Sequence, residues 1–108
     1  MKVGIIRCAQ TEDICPGTMC FKVIREKKLA FEPYKDEDIE IIGYVTCGGC
    51  PVKKAIPRAK TMIERGADAI VISSCITRGV PVGFPCPFSE TIKDNIEKLN
   101  VNVIDWTH

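Results

Sequence analysis

The sequence predicts a three-layer α/β sandwich, in which helices cover both faces of an open, parallel sheet of four strands. Four short segments rich in Val and Ile alternate along the chain with three segments of helical periodicity. This alternation is typical of parallel sheets with crossover helices. The 108 residues, 45% of them hydrophobic, suit one hydrophobic core, so we expect residues 1–108 to form a single domain.

The four predicted strands are the apolar segments. The first two are Lys2–Cys8 (KVGIIRC) and Ile39–Cys47 (IEIIGYVTC). Asp68–Cys75 (DAIVISSC) is the most continuous and is expected to be buried on both faces of the sheet. Val101–His108 mixes apolar and polar residues, which favours an edge strand. Right-handed crossovers favour the strand order 2-1-3-4, as in flavodoxin-like and Rossmann-like folds.

Three helices are predicted between the strands. Met19–Leu29 carries an apolar stripe beside a basic face, and Val52–Arg65 repeats apolar residues at three- and four-residue spacing. Pro57 within the second pattern predicts a kink or a late start of that helix. The third helix is predicted over Ser89–Leu99, with Asn100 ending it. The remaining loops are predicted over residues 11–18, 30–38 and 78–87.

Composition excludes several classes of function. The formal net charge of +1 gives no long-range field for a nucleic acid or an anionic membrane. No apolar stretch approaches the length of about 18 residues needed to span a membrane, and the first ten residues are too short for a secretory signal. A cytoplasmic protein is expected. The chain has one histidine and no nucleotide-binding glycine motif, which disfavours acid–base catalysis and phosphate chemistry.

Cysteine content is the unusual feature. The chain has seven cysteines, an odd number, and a secreted disulfide scaffold would normally show an even number behind a signal peptide. Long Val and Ile segments can build the core without disulfides. In a reducing compartment, such a cysteine content favours metal binding or redox chemistry.

The predicted strands end at Cys8, Cys47, Cys75 and His108. The carboxyl ends of parallel strands meet at one edge of the sheet, where binding crevices form. Neighbouring strands lie about 4.8 Å apart, so the backbones at Cys47 and Cys75 would be about 9–10 Å apart. Since a metal–thiolate bond is about 2.3 Å long and side chains lean inward, one centre could gather these sulfurs together with Cys50.

The segment CGGC at residues 47–50 suits the same purpose. Gly48 and Gly49 allow a sharp turn. Pro51 is suited to the first helical position, which would place Cys50 at a helix N-terminus and favour its thiolate. The predicted ligands are therefore Cys8, Cys47, Cys50 and Cys75. The alternates, or a second site, are Cys86, Cys15, Cys20 and His108.

These motifs resemble the CGGC-domain family over the whole chain. The matching elements are Arg7-Cys8, Cys15-Pro16-Gly17, Cys20-Phe21, Cys47-Gly-Gly-Cys50, Ser74-Cys75, Cys86-Pro87 and Thr107-His108. The resemblance implies a small protein, of a kind common in anaerobic bacteria and archaea, whose cysteines and histidines bind metal. Other members often carry histidines where this chain has Ile72 and Phe88. We assign no metal role to those two residues, and expect a site made more purely of sulfur.

Two functions remain open. The first is a metal-binding protein whose thiolates hold zinc or an iron–sulfur cluster. The second is a thiol–disulfide redox protein, in which Cys47 attacks and Cys50 resolves. A protein partner in redox or metal transfer is compatible with both, and so is a partner-binding module whose metal only holds the loops. The sequence predicts neither an oligomeric state nor a substrate.

Overall fold

A computed structural model describes residues 1–108 and contains one sheet of four parallel strands. The strand order β2-β1-β3-β4 confirms the predicted order. Each strand is shorter than its apolar segment predicts, because the chain leaves the sheet before the cysteine or histidine that ends that segment. The strands are β1 (Lys2–Arg7), β2 (Glu40–Thr46), β3 (Ala69–Ile72) and β4 (Asn102–Ile104).

Helices form in all three predicted regions, as α1 (Thr18–Glu26), α2 (Ala55–Glu64) and α4 (Ser89–Glu97). A further short helix, α3 (Ser74–Thr77), was not predicted and replaces the end of the third predicted strand. Two 3-10 helices cover Ala9–Thr11 and Leu29–Tyr34. The second of these replaces part of the predicted loop at 30–38, because the side chains of Ala30 and Phe31 are buried in the core. No helix is both long and apolar enough to traverse a lipid bilayer.

The sheet separates two hydrophobic clusters, which confirms the sandwich. Val3 and Ile5 of β1 pack with α1 and with Phe31 on one face. Ile6 belongs to the other cluster, with residues of α2 and α4. All four residues of β3 are fully buried, as predicted for a strand covered on both faces. Alternating residues of β1 therefore serve opposite layers of the core.

The central position of β1 determines what lies at the carboxyl edge of the sheet. Arg7 of β1 pairs with Thr46 of β2, and the N–H of Cys47 donates to the Arg7 carbonyl over 2.8 Å. On the other side the N–H of Ser73 donates to the Ile6 carbonyl over 3.0 Å. The segments that follow three neighbouring strands therefore leave the sheet side by side.

Candidate thiol site at the sheet edge

Four cysteines from four separate segments line one cavity of about 180 Å³ at the carboxyl edge of the sheet. We refer to it as the thiol cavity. The cysteines are Cys8, Cys50, Cys75 and Cys86, and the other lining residues are Gln10, Val82, Phe84, Pro85 and Pro87. The cavity thus combines four soft donor atoms with largely apolar walls, and no acidic side chain lines it.

Each of the four segments reaches the cavity by a different route. Cys8 directly follows β1, and Cys75 lies in α3, not at the end of a strand as predicted. β3 ends early because Ser73 and Ser74 turn the chain into this short helix. Cys86 belongs to the loop before α4, where its N–H donates to the Ile76 carbonyl over 2.7 Å.

Backbone N–H groups point at two of the cavity sulfurs. The N–H of Cys8 donates to the sulfur of Cys75 over 3.2 Å, and that of Phe88 donates to the sulfur of Cys86 over 3.3 Å. Such donors stabilise negative charge on sulfur, both in a free thiolate and in a metal-bound one.

The cavity environment acts on ionisation in two opposing ways. Burial raises the pKa of the Cys75 thiol, and the hydrogen bonds from Cys8 and Thr11 lower it in part. Burial also raises the pKa of the Cys86 thiol. The hydrogen bond from the Phe88 N–H lowers this pKa in part, whereas the neighbouring thiols of Cys50, Cys8 and Cys47 raise it further. Without a metal, both groups therefore remain protonated thiols at neutral pH.

Cys47 does not line the thiol cavity. Its side chain is only 4% exposed and packs in the core cluster with Ile6, Val52 and Ala55. Cys50, by contrast, is exposed. The two cysteines of the CGGC segment therefore face different environments, one behind the cavity and one at its surface.

The prediction that Cys50 begins a helix is wrong. Helix α2 begins at Ala55, so Pro51 lies in a turn and the helix N-terminus is several residues beyond Cys50. Val52, with a φ of 66°, is buried in the core and displaces the helix start. Pro57 then occupies the third helical position, which confirms the late start predicted from it. Gly48 and Gly49, with φ of 83° and 94°, supply the sharp turn as predicted.

Cys20 belongs to a buried hydroxyl network next to the cavity. Its sulfur lies 3.6 Å from the Ser73 hydroxyl and 3.4 Å from that of Thr107. The Ser74 hydroxyl accepts hydrogen bonds from the N–H groups of Thr107 and His108, over 2.9 and 3.0 Å. Ser74 therefore holds the last residues of the chain against the sheet.

Cys15 and His108 line a second cavity, of about 260 Å³, together with Ile14, Pro16, Thr18, Met19, Val80 and Pro81. His108 therefore lies apart from the thiol cavity and does not line it. Burial, followed by the nearby charge of Arg78, lowers the pKa of the His108 imidazole. A neutral imidazole can bind metal, but only one cysteine accompanies it in this cavity.

The cavity thiols are gathered but form neither a disulfide nor a preformed metal site. All seven cysteines are free, and no three Cys, His, Asp or Glu side chains lie close enough together to share one metal ion. The thiol cavity thus has the donor atoms for a metal centre, but its sulfurs do not converge on a single point.

Arg7 is a residue that sequence reasoning missed. It is only 6% exposed, and its Nη2 donates to the Thr11 hydroxyl over 3.0 Å. The guanidinium lies 5.7 Å from the centre of the Tyr44 ring, and its buried Nε has no hydrogen-bond partner. An Arg at the end of an apolar strand, directly before a cysteine, was the available signal.

Comparison with known proteins places these features in a family. The family model of the CGGC domain matches residues 2–108. The chain is 40% identical over 117 residues to the uncharacterized protein MJ0582 of Methanocaldococcus jannaschii, an alignment that covers the whole chain and 87% of the relative. It is 32% identical over 65 residues to the uncharacterized protein MJ0766 of the same organism, covering 59% of the chain and 94% of the relative. No solved structure matches. The chain belongs to the CGGC-domain family.

Proposed function

We propose that this protein binds a thiolate-ligated metal centre in the thiol cavity, with Cys8, Cys50, Cys75 and Cys86 as ligands. The observation that carries the proposal is the meeting of these four thiols, from four separate segments, in one cavity. Four cysteine ligands are the donor set of structural zinc sites and of common iron–sulfur clusters.

The spacing of the sulfurs favours an iron–sulfur cluster over a single zinc ion. Tetrahedral zinc with bonds of about 2.3 Å holds its sulfurs about 3.8 Å from one another. No three candidate ligand side chains are grouped closely enough to hold one metal ion. In a cluster, iron and sulfide atoms stand between the cysteines, so the cysteine sulfurs lie farther apart. Zinc binding would require Cys50 and Cys86, which lie in a turn and a loop, to move inward.

The remaining predicted ligands are secondary in this proposal. Cys47 is buried in the core behind the cavity, so it could reach the centre only after a rotation of its side chain. Cys20 is held by hydroxyl groups, and Cys15 and His108 line the other cavity. The exposure of Cys50 leaves one ligand accessible to a protein partner in metal transfer.

The test is metal uptake by protein made and purified without oxygen. One sample is reconstituted with iron and sulfide and another with zinc, and metal and acid-labile sulfide are then measured per chain. We expect a stoichiometric centre, with the visible absorption of an iron–sulfur cluster in the iron sample. Replacing Cys8, Cys50, Cys75 or Cys86 by Ser should each reduce uptake strongly.

Cys15→Ser is the matched control, because Cys15 has the same chemistry but lines the second cavity. It should leave uptake unchanged. The proposal is wrong if the wild-type protein takes up no stoichiometric metal. The ligand assignment is wrong if Cys15→Ser reduces uptake as much as the four cavity variants do.

Thiol–disulfide exchange is a second candidate, and the exposure of Cys50 favours it. Because Cys47 is buried, the attacking thiolate would be Cys50, whereas the sequence predicted Cys47 in that role and Cys50 as the resolving thiol. Cys50 would attack a partner disulfide and release one partner thiolate. Cys86, close enough to Cys50 for their charges to interact, would then attack the Cys50 sulfur and release the second. The partner gains two electrons, and a Cys50–Cys86 disulfide forms here.

A Cys86→Ser variant separates the two functions. If exchange occurs, this variant should accumulate a mixed disulfide through Cys50 with a small disulfide such as oxidised glutathione, whereas Cys50→Ser should not. Loss of metal without trapping would support the metal centre alone.

A further inference from the structure

The exposed apolar side chains of the protein are not scattered over its surface. Six large hydrophobic residues are exposed, and each of them lines one of three cavities: Ile14, Met19, Leu29, Val80, Val82 and Phe84. Single exposed hydrophobic residues are normal on a monomeric protein, whereas a contiguous group of them marks a surface that binds another molecule. The grouping therefore indicates a binding surface.

Met19 joins two of these cavities. It lines the second cavity, of about 260 Å³, together with Ile14 and Val80. It also lines a cavity of about 250 Å³ beside α1, together with Leu29. The exposed fractions of these four side chains range from 40% to 64%. We refer to the two cavities and the residues that line them as the Met19 surface.

Charges of opposite sign lie at the two ends of the Met19 surface. The acidic residues Glu12 and Asp13 directly precede Ile14, and both are exposed. Lys22 and Lys28 line the cavity beside α1, at the other end of the surface, and both are also exposed. Because Met19 is the residue that the two cavities share, it lies between the acidic end and the basic end.

Glu26 reduces the positive charge of the basic end but does not cancel it. It lines the cavity beside α1 and forms an ion pair with Lys28 over 3.3 Å. None of the three ion pairs in the structure includes Lys22 or the two acidic residues of the other end. The basic end therefore keeps a net positive charge, and the acidic end keeps both of its negative charges.

A surface with this arrangement is complementary to a second copy of itself. In a symmetric dimer both copies use the same patch, so one end of the patch faces the opposite end of the patch on the other copy. A two-fold axis near Met19 would set the acidic residues of each copy against the lysines of the other and would bury the apolar side chains between them. An apolar centre with a polar rim of complementary charge is typical of specific interfaces.

We infer that the Met19 surface is the interface of a symmetric dimer of this chain. The inference goes beyond the proposed function and does not depend on it, because none of the four proposed ligands lines the Met19 surface. Val82 and Phe84 also lie outside the surface, since they line the thiol cavity.

The experiment is sedimentation equilibrium of the full chain over a range of micromolar concentrations, without oxygen and with a reductant that prevents disulfide-linked dimers. We expect a reversible equilibrium between monomer and dimer. Met19→Asp places a charge at the centre of the interface and should raise the dissociation constant of the dimer at least about tenfold. Phe84→Asp is the matched control, because Phe84 is 79% exposed but lies outside the Met19 surface. It should change the dissociation constant by less than about twofold.

Two further variants test the pairing of charges. Glu12→Lys/Asp13→Lys makes both ends of the surface basic, and Lys22→Glu/Lys28→Glu makes both ends acidic. Each variant alone should be monomeric at concentrations where the wild type is dimeric, because like charges then face each other across the axis. An equimolar mixture of the two should form a heterodimer, because every facing pair of ends again has opposite charge. All four positions are exposed, and melting temperatures check that the variants fold.

The inference is wrong if the wild-type chain is monomeric at every concentration, which would mean that the Met19 surface binds a different protein. It is also wrong if Phe84→Asp dissociates the dimer as strongly as Met19→Asp does, or if the mixture of charge variants forms no heterodimer. A chain that dimerises as expected but takes up no metal would overturn the proposed function and leave this inference standing.

Discussion

The backbone N–H of Cys8 donates a hydrogen bond to the sulfur of Cys75 over 3.2 Å, although 67 positions separate the two residues in the chain. The contact follows from the sheet, because β1 and β3 are neighbours and Ile6 pairs with Ile72. Two thiols of the cavity are thus held by the segments that follow β1 and β3. The other two, Cys50 and Cys86, lie in a turn and a loop and can adjust to a ligand.

The first prediction concerns the reactivity of the two cysteines in the CGGC segment. In the reduced, metal-free protein, iodoacetamide should label Cys50 at least about tenfold faster than Cys47, because labelling of a buried thiol requires local opening. Mass spectrometry of peptides sampled over time measures both rates. In urea the two rates should become similar, and equal rates in the native protein would contradict the burial of Cys47.

The fold was predictable from the sequence because its signals are local. The Val and Ile segments and their alternation with helices led to the correct strand order. The ends of elements were less predictable, because they depend on tertiary contacts. β3 ends at Ile72 since the Ser74 hydroxyl accepts hydrogen bonds from the chain terminus. Helix α2 begins late because Val52 enters the core.

The location of the candidate site could be predicted from the sequence, but the set of cysteines that line it could not. Parallel strands bring their carboxyl ends to one edge, which the sequence indicates. Which thiols share a cavity depends on where each side chain points after the strand ends. The Cys47 side chain packs in the core, whereas Cys86 lines the cavity from a loop whose sequence shows no regular pattern. The burial of Arg7 depends on Thr11 and Tyr44, which only the folded chain brings next to it.

The second prediction concerns Ser74. Ser74→Ala removes the acceptor of the Thr107 and His108 N–H groups and leaves the buried Thr107 N–H unsatisfied. It should lower the free energy of unfolding by about 1–3 kcal/mol, measured by urea denaturation. Ser73→Ala is the control, because the hydroxyl of Ser73 has only the weak contact of 3.6 Å with the Cys20 sulfur. An equal loss in both variants would show that cavity formation, not the hydrogen bonds, dominates.

The third prediction concerns pH. Burial raises the pKa of Cys75 and Cys86 above the ordinary 9.0. At a pH between 9 and the pKa values of the folded protein, these two thiols are protonated in the folded chain but largely ionised in the unfolded chain. The stability of the metal-free protein is therefore fully present below pH 9 and falls as the pH rises through the pKa values of the folded protein. Metal binding releases these protons, so metal affinity should rise with pH up to the pKa values of the folded thiols.

Urea denaturation without oxygen, at several values from about pH 7 to pH 10, measures the effect on stability. A Cys75→Ser/Cys86→Ser variant should lose less stability over that range. The raised pKa of Tyr44 comes mainly from burial, with Cys75 the smallest of its causes, so its contribution is nearly the same in both proteins. Identical slopes in the two proteins would exclude the thiols as the cause.

The fourth prediction concerns the loop that carries Val82, Phe84 and Cys86 to the thiol cavity. Gly79, at a φ of 75°, packs so closely that an added Cβ would overlap the carbonyl group of Phe84. Gly79→Ala should therefore combine backbone strain with a clash, at a cost of about 2–4 kcal/mol. Because the clash displaces the cavity wall, metal uptake should fall as well.

Gly83 in the same loop provides the matched control for this prediction. Its φ is also positive, at 92°, but an added Cβ would have no heavy atom within 4 Å. Gly83→Ala should therefore cost only about 1 kcal/mol, from backbone strain alone, and should leave metal uptake near the wild-type level. Urea denaturation and metal analysis of both variants separate the clash from the strain that they share. If Gly83→Ala reduces uptake as much as Gly79→Ala does, the close contact between Gly79 and Phe84 is not what shapes the cavity.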